Sequence, residues 1–250
     1  FSGNTIVLEG TGEGLAEISV EAEVERTGEV EPDVVDMRGD VPDEMKMWHT
    51  CRSLDDTDGI YPKNKAIRIP FDFKLDDGQD VIGYGYYPVE ASPSSLLTVT
   101  SDENSTSQAF IDLQGADMAG PATLTNSIDD SEYGVELVAE SQYTGVERYN
   151  DSFEGEVGDT TYIYVTPVVE GTPVCQSTSE FSVGADTQSI CNASRPDDPG
   201  DANTTNRDGG NGWVKIEGMS AGTCEFTVNY PNGNDGNGAS STLEIVINEP

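Results

Sequence analysis

Carboxylates packed around a turn-making glycine are the residues of this chain best suited to chemistry. Asp55-Asp56-Thr57-Asp58-Gly59 sets three hard oxygen donors ahead of a glycine, an arrangement that suits a calcium ion. A second cluster, Asp197, Asp198, Asp201, Asn203, Asn206 and Asp208, lies in a stretch rich in Asp, Asn, Gly and Pro. Asp55, Asp56, Asp58, Asp201 and Asp208 are therefore the candidate ligands, and calcium is the candidate cofactor. Neither cluster is an EF-hand loop, because the full alternation of acids and the twelfth-position Glu are missing. The competing reading, a solvated acidic turn on a salt-adapted surface, is the commoner fate of such clusters.

Catalytic constellations are harder to build. A Ser-His-acid triad would need His49, the one histidine of the chain, and no nucleophile elbow accompanies it. A lone histidine between Trp48 and Cys51 is more often packed or surface-placed than catalytic. Carboxylate pairs of the glycosidase type are abundant by chance among 47 acids. No enzyme is expected, and no catalytic residue is assigned.

Cysteines carry a clearer message. Cys51, Cys175, Cys191 and Cys224 include no CxxC pair, so metal centres are poorly supported and disulfides in an oxidising compartment are favoured. Sequence does not fix their connectivity; the preferred pairing is Cys191 with Cys224, leaving Cys51 and Cys175 to bridge separate segments. Four Asn-x-Ser/Thr sequons, at Asn104, Asn150, Asn192 and Asn203, fall in polar, turn-like stretches and are candidate glycosylation sites that agree with export. Tyrosines gather at Tyr84, Tyr86 and Tyr87 and again at Tyr162 and Tyr164, where alternation sends half of them to a core and cross-strand pairing accounts for them best.

A net charge of −35, from 47 acids and 12 bases, is tolerable where salt screens it or divalent cations bind it, and it points to a saline setting. The same balance excludes nucleic acid, since no basic patch can neutralise phosphates. The start at Phe1, without methionine or an apolar leader, fits a mature exported protein. No run reaches the length of a membrane span. An extracellular or cell-surface location follows, with a virion as the alternative.

The elements that would position these residues are strands. Phe110 to Gly115, followed by Ala119-Gly120, recurs as Trp213 to Gly218, followed by Ala221-Gly222, and Val135 to Val138 echoes Leu243 to Val246. A fainter echo sets Asp80 to Tyr87 beside Thr160 to Thr166. Apolar residues alternate rather than recurring every three to four positions, so helix is scarce. Strands are expected over Ile18 to Val24, Ala66 to Leu75, Val81 to Tyr87, Leu96 to Thr100, Ala109 to Leu113, Ala122 to Asn126 and Gly134 to Ala139. In the second half they are expected over Thr160 to Val169, Glu180 to Val183, Ser189 to Asn192, Gly212 to Glu217, Thr223 to Tyr230 and Ser241 to Asn248. Gly28 to Asn64 reads as an irregular, packed cap with a short helical turn near Asp43 to Trp48, and Tyr143 to Gly155 reads as a junction. Short strands at this spacing describe sandwiches. The expected fold is all-β: tandem antiparallel sandwiches over 65–145 and 146–250, with an N-terminal β extension and cap over 1–64.

The second module resembles the bacterial Ig-like domains of surface adhesins, invasin-like proteins and phage virion proteins. The resemblance rests on Gly158-Asp159 before Tyr162 to Val165, Val214 to Gly218 leading into Ala221-Gly222-Thr223, Phe226 to Val228, and the closing Thr242 to Ile247. It implies an Ig-like sandwich with a structural or adhesive role, and it brings no catalytic residues. The first expectation is a structural subunit of an extracellular filament, pilus-like fibre or surface layer in a salt-adapted microbe, partnered by copies of itself. In that setting Thr5, Ile6, Val7 and Leu8 are the candidate donated strand. A virion tail, fibre or decoration protein, and an adhesin binding glycan or host surface, are the alternatives.

Overall fold

In a computed structural model the described residues are 14–23, 30–49, 58–81, 85–105, 109–148, 154–196, 212–232 and 238–250. They contain twenty strands, and the helical structure among them is one 3₁₀ turn at Glu140–Gln142. Strand β1 (Gly14–Glu23) and β2 (Val30–Gly39) form an antiparallel ribbon in register from Gly14 opposite Gly39 to Glu23 opposite Val30. Nine strands follow: β3 (Glu44–Met47), β4 (Asp58–Pro62), β5 (Ala66–Lys74), β6 (Asp80–Val81), β7 (Val89–Ser92), β8 (Leu97–Val99), β9 (Phe110–Gly115), β10 (Gly120–Asn126) and β11 (Glu132–Val138). Nine more complete the chain: β12 (Gly145–Arg148), β13 (Glu154–Glu156), β14 (Thr160–Val169), β15 (Thr172–Pro173), β16 (Ser182–Ala185), β17 (Cys191–Ser194), β18 (Trp213–Gly218), β19 (Gly222–Tyr230) and β20 (Ala239–Asn248).

The two sets of nine are wired identically. The first has sheets β4-β11-β10-β7 and β3-β5-β9-β8, with β6 beside β5. The second has β13-β20-β19-β16 and β12-β14-β18-β17, with β15 beside β14. In each set the second strand runs parallel to the last while the other measured pairings are antiparallel. One sheet of the order A-B-E-D facing another that contains G-F-C is the Ig-like arrangement. The chain is a tandem of Ig-like sandwiches, as the sequence pattern and the resemblance led one to expect.

Residues 47–71 with 83–250 form one unit that holds most of both sandwiches, and residues 1–46 with 72–82 form another that holds the ribbon. In the larger unit alternation sends one face of each strand inward: Ile67, Ile69, Leu97, Ile111, Leu124 and Leu137 in the first sandwich, and Ile163, Val214, Ile216, Phe226, Val228 and Ile245 in the second, are all buried.

The sequence repeat marks equivalent places. Gly120 and Gly222 open β10 and β19, the eighth strand of each copy, with φ of 152° and 145°, values that a side chain tolerates poorly. Gly115 pairs with Leu97 and Gly218 with Cys191, so β8 and β17 also correspond.

Several sequence expectations need correcting. Gly28 to Asn64 is not an irregular cap, because it contributes β2, β3 and β4. The helical turn expected near Asp43 to Trp48 is a strand in which Met45 and Met47 are buried and Glu44 and Lys46 exposed. A four-residue alternation is too short to outweigh the surrounding acids, and such edge strands form because a neighbour supplies the ladder. For the same reason Tyr143 to Gly155 hides β12 and the start of β13, and Val89 to Ser92 was missed as β7. Of the strand expected over Val81 to Tyr87, Val81 pairs with Phe73, beside Asp80 opposite Lys74; residues 82–84 lie outside the described residues, and 85–87 belong to no strand. The faint echo between Asp80 to Tyr87 and Thr160 to Thr166 also fails, since β14 holds the place of β5.

Candidate functional site

The most elaborate site within the larger unit is the junction between the two sandwiches. It is built from the irregular segment after β15, where residues 174–177, 179 and 181 are buried although they belong to no long strand. Buried irregular backbone must find partners, and here the first sandwich supplies them. Val174 forms a parallel bridge with Ile60 of β4, and the Cys175 N–H donates to the Ile60 carbonyl at 2.7 Å. Gln176, at φ 53°, turns its amide onto β5: Arg68 N–H donates to Gln176 Oε1 at 2.9 Å and Gln176 Nε2 donates to the Arg68 carbonyl at 2.6 Å. One side chain thus replaces a missing ladder partner.

The segment is also anchored on its own side. Val174 N–H donates to Pro167 O at 2.8 Å, and Thr166 Oγ1 donates to Val174 O at 2.6 Å. Tyr143, wholly buried, shares a hydrogen bond with Ser179 Oγ at 3.1 Å and meets Tyr230 edge-on at 5.9 Å, while Phe181 lies 5.4 Å from Tyr230. Burial raises the Tyr143 phenol above the ordinary tyrosine range, against the lowering influence of Ser179 and Ser177; burial also raises Tyr230 strongly. Arg195 sits over the Phe181 ring at 4.9 Å and pairs with Glu180. Val138, the last residue of β11, is buried within the core cluster of the second sandwich, and Ile60 packs against that cluster. The two cores are continuous at this point.

Disulfide chemistry reinforces the second sandwich. Cys191 on β17 and Cys224 on β19 are bonded with Cα atoms 5.6 Å apart, which joins the two sheets across the core as the preferred pairing anticipated. Cys175 is disulfide-bonded as well. Cys51 lies outside the described residues.

The remaining sequence candidates are scattered. Asp58 is exposed at the start of β4, its carboxylate over the face of Gly134. Asp55, Asp56, Asp201 and Asp208 lie outside the described residues, and among the described residues no cluster of three or more His, Cys, Asp or Glu could hold a metal. Asn104 is exposed in a turn, its N–H bonded to Asp102 Oδ1 at 2.9 Å. Asn192 projects from β17 and donates to Glu217 Oε2 at 3.0 Å; Lys215, 2.7 Å from Glu217, and this amide hold that carboxyl below the usual range. Asn150, Asn203 and the strand Thr5, Ile6, Val7 and Leu8 lie outside the described residues. His49 is buried, 1% exposed. Tyr164 faces Trp213 across β14 and β18 with ring centroids 5.1 Å apart, a cross-strand pair, whereas Tyr86 is exposed. No described helix is long and apolar enough to cross a membrane.

Sequence reasoning set the junction at Tyr143 to Gly155 and missed the part that 174–181 plays in it. Gln176, Ile60 and Val138 carry no motif, and the hint available was an apolar Val174-Cys175 placed just after a strand.

No protein-family model matches the chain. No curated protein matches it either. Among solved structures it is similar to domains 4–9 of the surface layer protein SbsC, at 15% identity and TM-score 0.35, covering 95% of this chain and 35% of that one. It is also similar to the Escherichia coli adhesin FdeC, at 16% identity and TM-score 0.32, covering 95% and 75% respectively. A third is the D00-D0 region of intimin, at 11% identity and TM-score 0.28, covering 82% and 100%. The chain spans about a third of the SbsC fragment.

Proposed function

We propose that the chain is a non-enzymatic structural or adhesive module of a microbial cell surface, and within that class a subunit of an extracellular filament, pilus-like fibre or surface layer of a salt-adapted microbe. The observation that carries this reading is the junction, where two Ig-like sandwiches share one core boundary instead of a free linker, as an element that carries tension or sets a spacing requires. Disulfide-bonded Cys175 and the inter-sheet Cys191–Cys224 bond support an oxidising exterior. The net charge of −35 supports a saline one. Calcium at the Asp55, Asp56 and Asp58 turn and strand donation by Thr5 to Leu8 are the finer parts of the proposal. Electron microscopy of the purified protein across salt and calcium concentrations, with and without chelator, is the test: ordered polymers that respond to chelator are expected, and monomers under every condition would refute it.

A further inference from the structure

Register makes the ends of the two sandwiches comparable residue by residue. Gly120 stands opposite Leu137 and Gly222 opposite Ile247, so Leu137 corresponds to Ile247 and Val138 to Asn248. Glu136 pairs with Ile60 and its counterpart Val246 pairs with Glu154, so Ile60 corresponds to Glu154. In the first sandwich these two places are apolar, and both sink into the core boundary of the sandwich that follows. In the second they are exposed and polar, and Asn248 Nδ2 donates to Glu154 Oε2 at 2.9 Å.

We infer that these two positions decide whether an end of this module type seats a following sandwich. Ile60 and Val138 form the receptor for the segment 174–181, and Glu154 with Asn248 refuses that segment. The physical reason is desolvation. Seating Val174 and Cys175 against an end strips water from whatever lies beneath, which favours isoleucine and valine but leaves a charged carboxylate and an amide with one hydrogen bond between them in place of the water they lose. Only the backbone contacts, the Cys175 N–H on a carbonyl and an amide clamp on a neighbouring strand, could be reproduced at the second end. The inference holds whether or not copies of the chain assemble.

The test moves the pair in both directions. In the whole chain carrying Cys175→Ala, which removes the covalent tether of the segment, Ile60→Glu with Val138→Asn is expected to release the segment, so that, relative to Cys175→Ala alone, proteolytic cleavage within 174–181 accelerates at least tenfold and small-angle scattering shows a broader range of inter-sandwich orientations. Unchanged cleavage and scattering would overturn the inference. Retention of the Cys191–Cys224 bond and of the strand circular dichroism checks folding, and Ile60→Glu alone, at a half-buried site, serves if the double variant does not fold. In the converse arm a second copy of residues 141–250 is appended after Pro250, so that Tyr143 is kept and the spacing from Asn248 equals that from Val138. That added sandwich is expected to tumble independently, and to become fixed when Glu154→Ile and Asn248→Val are introduced. A rigid added sandwich without those changes, or a mobile one with them, would refute the two-position rule.

Discussion

Gly115 and Gly218 hold the same place in the two copies, but their surroundings differ. A Cβ on Gly218 would strike the backbone carbonyl of Glu156, which cannot move without shifting β13, whereas a Cβ on Gly115 would meet Leu137 Cδ2 at 3.2 Å, the tip of a side chain that can rotate. Gly218→Ala is therefore expected to cost about 2–3 kcal/mol and Gly115→Ala about 1 kcal/mol or less, measured by denaturant unfolding of each variant. Equal costs would refute the distinction. The tyrosines at the junction give a pH prediction with a definite sign. Burial favours the neutral phenol, so Tyr143 and Tyr230 keep their protons in the native state after an exposed tyrosine would lose them. Their contribution is whole below about pH 10, where an unfolded tyrosine titrates, and is lost as pH rises beyond it, because ionisation then favours the unfolded chain. An ultraviolet titration is expected to show these two phenols ionising only as the second sandwich unfolds. Their ionisation together with exposed tyrosines in a folded protein would contradict the assignment. Gly218 was legible in the sequence through its repeat; Tyr143 was not, since burial of its hydroxyl depends on Ser179, 36 positions away.

At the scale of elements, long inner strands announced themselves and short edge strands did not. β14 matches its expected span of Thr160 to Val169 because ten residues of mixed apolar and aromatic character leave no helical alternative. β12 and β13, with four and three residues, owe their pairing to β14 and β20, so their own sequence holds little signal. The disulfide was half legible: the preferred pairing named both cysteines, but the reason it suits them appears in the register. Leu97 and Ala122 are the counterparts of Cys191 and Cys224, since each pair stands at the same step from Gly115 and Gly120 or from Gly218 and Gly222. Both residues are buried, so the first sandwich fills with packing the place the second closes covalently. Removing the bond with Cys191→Ala and Cys224→Ala is expected to cost about 3–4 kcal/mol, the loop-closure value for a separation of 33 residues. Leu97→Cys with Ala122→Cys is expected to form the matching bond under oxidation, detected as the loss of two titratable thiols. Persistent free thiols in a folded variant would show that the two cores differ in sheet spacing.

At the scale of the whole molecule, charge sets the conditions under which this fold persists. With 47 acids and 12 bases, most carboxylates have no cation to meet, and ion pairs such as Lys63 with Asp117 at 2.8 Å are largely exposed. Exposed pairs of this kind contribute about 0–1 kcal/mol each, too little to offset repulsion among the rest. The native state holds these charges closer together than the unfolded chain does, so the repulsion acts against folding and weakens as salt shortens its range, from about 10 Å at 0.1 M to about 3 Å at 1 M. Thermal unfolding followed by circular dichroism is therefore expected to show Tm rising by about 10 °C between dilute buffer and 1 M sodium chloride, the shift that roughly 3–4 kcal/mol produces in a chain of this size. The gain is expected to be the same in potassium chloride and to level off above that concentration, since screening depends on ionic strength and not on the identity of the ion. Millimolar calcium separates the two readings of the acidic turns: a rise in Tm far beyond that given by magnesium at equal ionic strength would mark a built calcium site at Asp55, Asp56 and Asp58, and an equal response to both ions would leave those carboxylates as solvated surface. A Tm indifferent to sodium chloride throughout would refute the whole electrostatic account, because the repulsion it invokes would then be absent from the folded state.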